Sequence, residues 1–177
     1  MLCPQPSWYE QNAHWWWTST CEAIREAIKQ VNPSRIVALS ISNQRETFVP
    51  VDRNGDQVRN AILWMDQRAR HLLPDLEKRL IGERFHRITG KILAGNLTIS
   101  KLVWLRQNEP DIFQKATHFL DVQAYLIYCL TGLFITSWGS ADPTGLFDLR
   151  NNQWSAELVA EAGLKTGQLP ETAPPGT

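Results

Sequence analysis

Nothing in the chain approaches the roughly 18 consecutive apolar residues of a membrane-spanning helix, and its start has no basic stretch leading into a hydrophobic signal region. Neither membrane insertion nor secretion is expected. An excess of charge is also lacking: lysine plus arginine number 18, as do aspartate plus glutamate. The chain therefore has neither the basic footprint that attracts nucleic acid nor an acidic tail. Cysteine is scarce, and Cys3, Cys21 and Cys129 are odd in number and far apart. Reduced thiols in a cytoplasmic protein fit that pattern better than a disulfide framework. His14, His71, His86 and His118 form no helical pair and lie near no cysteine doublet, so no metal site is expected. Ser40, Ser42 and Ser140 lack a Gly-x-Ser-x-Gly turn, and no Gly-x-x-x-x-Gly-Lys-Ser/Thr loop is present. Serine-nucleophile hydrolysis and P-loop phosphate binding are thereby excluded. Repeats and low-complexity tracts are absent too. What remains is 177 residues, 43% hydrophobic and 20% charged, which fits one ordinary globular domain with a sizeable core.

The periodicities that are present predict a mixture of helices and strands. Residues 12–29 put Trp16, Cys21, Ala23, Ile24, Ala27 and Ile28 near helical spacing, and Asn32-Pro33-Ser34 ends this covering helix. Trp15, Trp16 and Trp17 are adjacent and cannot share one face, so one or two of them pack outside the helix. The β-branched run 36–41 reads as a buried strand. Residues 47–51 and Gln57-Val58 flank Asn54-Gly55, which predicts a hairpin. Pro50 donates no ladder hydrogen bond and belongs at an edge or a bulge. Leu72, Leu73, Leu76 and Leu80 mark an amphipathic segment that Pro74 kinks or splits. Another helix runs from about 98, with Ile99, Leu102, Val103 and Leu105, to Asn108-Glu109-Pro110, where a short helix starts at the proline. Phe119-Leu120 reads as a short strand, and 122–130 as a helix capped at Thr131-Gly132. Strands or extended arms follow at 133–136 and 145–149, then a helix over 155–162 closed by Gly163. The proline-rich tail 170–177 reads as a linker.

The stretch Asn43-Gln44-Arg45-Glu46-Thr47 follows the predicted strand 36–41. In open α/β sheets small ligands bind beyond the carboxyl ends of strands, which would put Arg45 and Glu46 at a mouth. A guanidinium fork beside a carboxylate can hold neighbouring hydroxyls of a sugar or polyol. The alternative is a surface ion pair, which contributes little to stability.

Further segments keep company with this motif: Trp8-Tyr9-Glu10-Gln11 before Trp15-Trp16, Ala61-Ile62-Leu63-Trp64 with Asp66 and Arg68, and Lys101-Leu102-Val103-Trp104-Leu105 before Asn108-Glu109-Pro110. Tyr125, Leu130-Thr131-Gly132, Ser140-Ala141, Thr144, Leu146-Phe147-Asp148 and Trp154 continue the series up to Leu169-Pro170. In this order they resemble the N-terminal domain of the FGGY family of carbohydrate kinases. The resemblance implies an actin-like, ribonuclease-H-like α/β fold with a central mixed sheet flanked by helices. It places the sugar-binding domain at 1–169, truncated at its first strands, and makes 170–177 a linker or the start of a remainder. The implied reaction is ATP-dependent phosphorylation of a sugar or polyol hydroxyl. ATP and magnesium would serve the complete enzyme, with no cofactor expected for this chain alone. The family's Asp-x-Gly-Thr phosphate loop and its catalytic aspartate have no counterpart here, so no catalytic residue is assigned.

By the same resemblance Arg45, Glu46 and Gln44 belong to the substrate motif and Trp64 lines its pocket, where an indole face can cover the carbon-hydrogen face of a polyol. Asp66 either contacts substrate or pairs with Arg68, and the pairing is the preferred reading. Asn96 stands where glycerol kinases with Gln-Arg-Glu-Thr carry an aromatic hydroxyl, so a pentulose, a hexulose or a larger alditol fits as readily as glycerol. Asp142, ahead of Pro143, reads as a turn residue rather than a replacement base. The alternative function is a non-catalytic remnant or one subunit of a split kinase, a binding or assembly module whose partner is a complementing kinase segment or a second copy.

Overall fold

The structure is a computed structural model that describes residues 1–80, 82–165 and 167–176. At its centre lies a four-stranded sheet of β1 (Glu10–Gln11), β2 (Phe48–Val51), β3 (Ala61–Ile62) and β4 (His118–Asp121), in the order β1-β3-β2-β4 with antiparallel pairs. The longest ladder joins β2 to β4, from Phe48 opposite Asp121 to Val51 opposite His118. Alternation along these strands sends side chains to two cores. Phe48, Ile62 and Phe119 face one core with Leu102 and Leu105, while Val49, Val51 and Leu120 face the other with Ala13, Ala124 and Tyr125.

Helices cover both faces, and local signals account for their ends. Asn12 caps α1 (Ala13–Ile28) by accepting from the His14 amide, and a 3-10 turn at Pro33–Arg35 follows. Trp16 leaves the helix to meet Tyr125 edge-on at 5.7 Å. Pro74 falls in the first turn of α2 (Leu73–Leu80), where its missing N–H is harmless, and α3 (Gly82–Thr89) continues as a separate helix. Next come α4 (Thr98–Asn108), α5 (Pro110–Lys115) starting on its proline, and α6 (Val122–Thr131). Gly132 closes α6 in the left-handed region, at φ 76°. The order then runs β5 (Ile135–Ser137), α7 (Trp138–Ala141), β6 (Phe147–Asp148), β7 (Gln153–Trp154), α8 (Ala156–Glu161) and β8 (Glu171–Ala173). Among the described residues no helix is long and apolar enough to cross a membrane.

Three expectations need correction. The run 36–41 forms no strand: Val37 is 95% and Leu39 55% exposed, and among the described residues no hydrogen bond reaches 37–42. β-Branched composition favours an extended chain, but a strand also needs a neighbour with free donors and acceptors. Pro50 lies within the interior strand β2 rather than at an edge or bulge. It is tolerated because β3 pairs with β2 only at Phe48, and beyond that point the Pro50 carbonyl accepts from Val58 in the returning arm of the Asn54-Gly55 turn. The tail is not simply a linker, since Glu171–Ala173 pairs in parallel with Ile135–Ser137. Proline content speaks for a loop, but the exposed edge of β5 supplies a partner that composition does not show; Thr177 lies outside the described residues.

Candidate functional site

The turn at 43–47 enters β2 through a strained residue. Glu46 has φ 54°, a left-handed conformation that a side chain with a Cβ adopts at a cost. The strain is held from inside, where the Glu46 carbonyl accepts from Lys101 Nζ at 2.5 Å and from Thr98 Oγ1 at 3.1 Å. Lys101 Nζ also donates to the Leu63 carbonyl at 3.0 Å, so one ammonium joins the turn to the end of β3. A second tie runs beside it, from the Trp64 amide to Thr47 Oγ1 at 3.0 Å.

This arrangement brings four of the five expected residues together. Arg45 is exposed, and its Nη2 stands 3.9 Å from Glu46 Oε1, at the outer limit of an ion pair. A contact that long locks neither side chain and leaves their donors and acceptors free for hydroxyls. Trp64, fixed through its backbone, is 46% exposed. Gln44 anchors the turn instead: its Nε2 donates to Gln11 Oε1 at 3.1 Å, an oxygen that also accepts from Trp16 Nε1 at 2.8 Å. Asn43 Oδ1 accepts from Ser140 Oγ at 3.4 Å, which ties the turn to α7.

Asp66 is elsewhere. It is fully buried, and its two oxygens accept from Arg68 Nε and Nη2, each at 2.9 Å, and from the Tyr9 amide at 2.6 Å. Arg68 in turn donates to Glu10 Oε1 at 2.9 Å and lies 4.1 Å over the Trp8 ring and 5.0 Å from that of Trp104. Arg59 completes the cluster by pairing with Glu10 and, at 3.2 Å, with Glu109. Burial lowers the Arg59 pKa, with Glu10 and Glu109 acting against that shift. Asn96 is half-buried in the turn before α4. Asp142 begins a 3-10 turn at Asp142–Thr144 and pairs with Lys91.

Lys101 is the residue that sequence reasoning passed over. Its burial is complete, and desolvation pulls its pKa down from 10.5 to about 7, against the opposing pull of Asp66 and Glu46. One signal was available: a single lysine in 98–105, where every other residue is uncharged and several are large and apolar. Among the described residues no three His, Cys, Asp or Glu side chains are grouped to hold a metal ion. Two further carboxylates are engaged in ion pairs, Asp66 with Arg68 and Asp142 with Lys91.

Residues 1–176 match the FGGY family of carbohydrate kinases, N-terminal domain. The glycerol kinase of Thermococcus gammatolerans is 36% identical over 174 residues, covering 95% of this chain and 35% of the relative. Ligand-bound xylulose kinase from Lactobacillus acidophilus superposes with a TM-score of 0.93 at 25% identity, covering all of this chain and 36% of that one. Plasmodium falciparum glycerol kinase with ADP does so with a TM-score of 0.88 at 28% identity, covering 97% and 36%. The chain thus spans about a third of the length of the relatives it matches, and its mixed α/β architecture is that of the actin-like sugar kinases. A match across almost every residue, with the Gln44-Arg45-Glu46-Thr47 turn set against Trp64, means that this chain belongs to the FGGY family of carbohydrate kinases.

Proposed function

We propose that the chain supplies the sugar- or polyol-facing side of an ATP-dependent carbohydrate kinase. The observation that carries this reading is the turn itself: Arg45 and Glu46 loosely paired at 3.9 Å, with the half-exposed Trp64 tied to the turn through its amide on Thr47 Oγ1. The guanidinium donates to one hydroxyl oxygen, the carboxylate accepts from a neighbouring hydroxyl, and the indole covers the apolar face between them. Gln44 contributes by fixing the turn to Gln11. Asp66 contributes by holding Arg68 within the loop that follows β3 and Trp64.

ATP and magnesium belong to the reaction in this proposal but do not fit the residues described here, among which no three His, Cys, Asp or Glu side chains are grouped to hold a cation and Asp66 and Asp142 are paired with Arg68 and Lys91. The phosphoryl donor is held by polypeptide outside the matched third, and the chain alone does not turn over substrate. Calorimetry with glycerol and D-xylulose tests the site. Binding by wild type that weakens about tenfold in Arg45→Ala and Glu46→Gln supports it, as expected for loss of a charged hydrogen bond. No binding of either compound by wild type refutes it. ADP release by the purified chain with either compound would refute the inactivity of the chain.

A second reading, assembly with a complementing kinase segment, is favoured by a groove of about 920 Å³. Its walls include Leu39 and Ile41 on one side and Ile135 and Ser137 of β5 on the other. Ala38, Leu39, Ser40 and Ile41 line it, among the described residues no hydrogen bond reaches them, and Leu39 is 55% exposed, features suited to accepting one extended strand.

A further inference from the structure

Helix α4 is buried continuously from Thr98 to Leu105, and Lys101 is the one charged residue in that stretch. A methionine would fill the same space without the cost of desolvating an ammonium. What it could not do is donate. Both observed bonds of the ammonium go to carbonyls of other segments, Glu46 in the strained turn and Leu63 immediately before Trp64. We propose that Lys101 is a positioning residue of the sugar-facing site: by holding these two carbonyls on one ammonium it sets the spacing between the Arg45-Glu46 turn and the Trp64 ring. The inference rests on the reading of Arg45, Glu46 and Trp64 as sugar contacts.

The charged groups around Lys101 come from each packed segment. Glu46 faces it from the turn, and Asp66 and Arg68 from the loop after β3, with Glu10 of β1 bonded behind Arg68. On α4 itself, the Thr98 hydroxyl shares the Glu46 carbonyl. Asp66 and Glu46 favour the ammonium, while burial and Arg68 oppose it. A neutral amine keeps two N–H groups, so deprotonation weakens both ties without abolishing them. The site therefore loosens by degrees as Lys101 loses its proton.

The test is amide hydrogen exchange on the wild-type chain and on Lys101→Met. Protection of the Trp64 amide should fall about tenfold further than that of Val49 and Leu120 in the sheet, and affinity for glycerol or D-xylulose should fall about tenfold, the effect of losing a charged hydrogen bond. A merely structural lysine would lower all three protections together. That result, or a Trp64 amide unchanged by the substitution, overturns the proposal. Should Lys101→Met not fold, the wild type decides by nuclear magnetic resonance. The Thr47 and Trp64 amide shifts should then move with the midpoint of the Lys101 Cε resonance, and their indifference to it overturns the proposal. Absence of sugar binding by wild type overturns the sugar reading itself, whereas failure of the exchange or titration arm alone overturns only the role of Lys101.

Discussion

Asp66→Ala separates a core carboxylate from a substrate carboxylate. In the fold both Asp66 oxygens are engaged, and the Arg68 side chain they hold has no solvent exposure. Removing the carboxylate strands a buried guanidinium with Glu10 as its remaining anionic partner and leaves the Tyr9 amide without its acceptor. Breaking one side of a buried pair costs about 3–5 kcal/mol. In a domain of this size that lowers the melting temperature by about 6–20 °C. Circular dichroism during heating, with urea unfolding alongside, measures the loss.

The double variant Asp66→Ala/Arg68→Met sharpens the test, because removing both charges relieves the uncompensated one. It should be more stable than Asp66→Ala alone by about 1–3 kcal/mol, a coupling expected of residues in one network. The Trp8 and Trp104 rings, in edge-to-face contact with each other beside Arg68, would pack on the methionine, whose sulfur packs well against aromatic edges. The reasoning is refuted if Asp66→Ala costs less than about 1 kcal/mol, the range of an exposed pair. It is refuted more directly if that variant melts like wild type and has lost only its affinity for glycerol or D-xylulose.

Other expectations test different parts of the molecule. The pKa of Lys101 is about 7 in the fold against an ordinary 10.5, so between those values the unfolded chain holds more protons. Stability should therefore rise with pH across that window, by up to about 1.4 kcal/mol per unit, and urea midpoints of Lys101→Met should lack this rise. At Gly132, φ is 76° and an added Cβ would meet nothing within 4 Å, so Gly132→Ala should cost about 1 kcal/mol from backbone strain alone, read as a shifted urea midpoint with unchanged slope. Val37→Lys should leave the isolated chain within about 0.5 kcal/mol of wild type, since Val37 is 95% exposed. A larger loss by thermal unfolding would mean that 36–41 packs in solution after all.

Whatever depends on neighbours in sequence was legible in advance. Asn12 and Gly132 mark helix ends through bonds that reach only a few residues, and Pro110 starts α5 for the same local reason, whereas Pro74, expected to kink or split its segment, sits in the first turn of α2. The turn 43–47 could be singled out because its residue types name a chemistry. What it lacked was the restraint on Glu46, which comes from a lysine on a distant helix. The runs 36–41 and 171–173 show the converse. Composition points one way in each, yet whether a segment becomes a strand is decided by the edge available beside it. Glu171–Ala173 finds Ile135–Ser137, while 36–41 finds no partner among the described residues.

Asp66 carries this one step further, because the same Asp-Gln-Arg spacing serves an exposed hydroxyl clamp or a buried ion pair equally well. Trp8 and Trp104, far apart in sequence, both pack on Arg68, and the pair it forms with Asp66 is shut off from water, which favours the ion pair. With water excluded, the carboxylate is committed to the guanidinium and cannot also serve a sugar. In the proposed site, hydroxyl recognition then rests on Arg45 and Glu46, which at 3.9 Å form the loosely held charged pair of the turn.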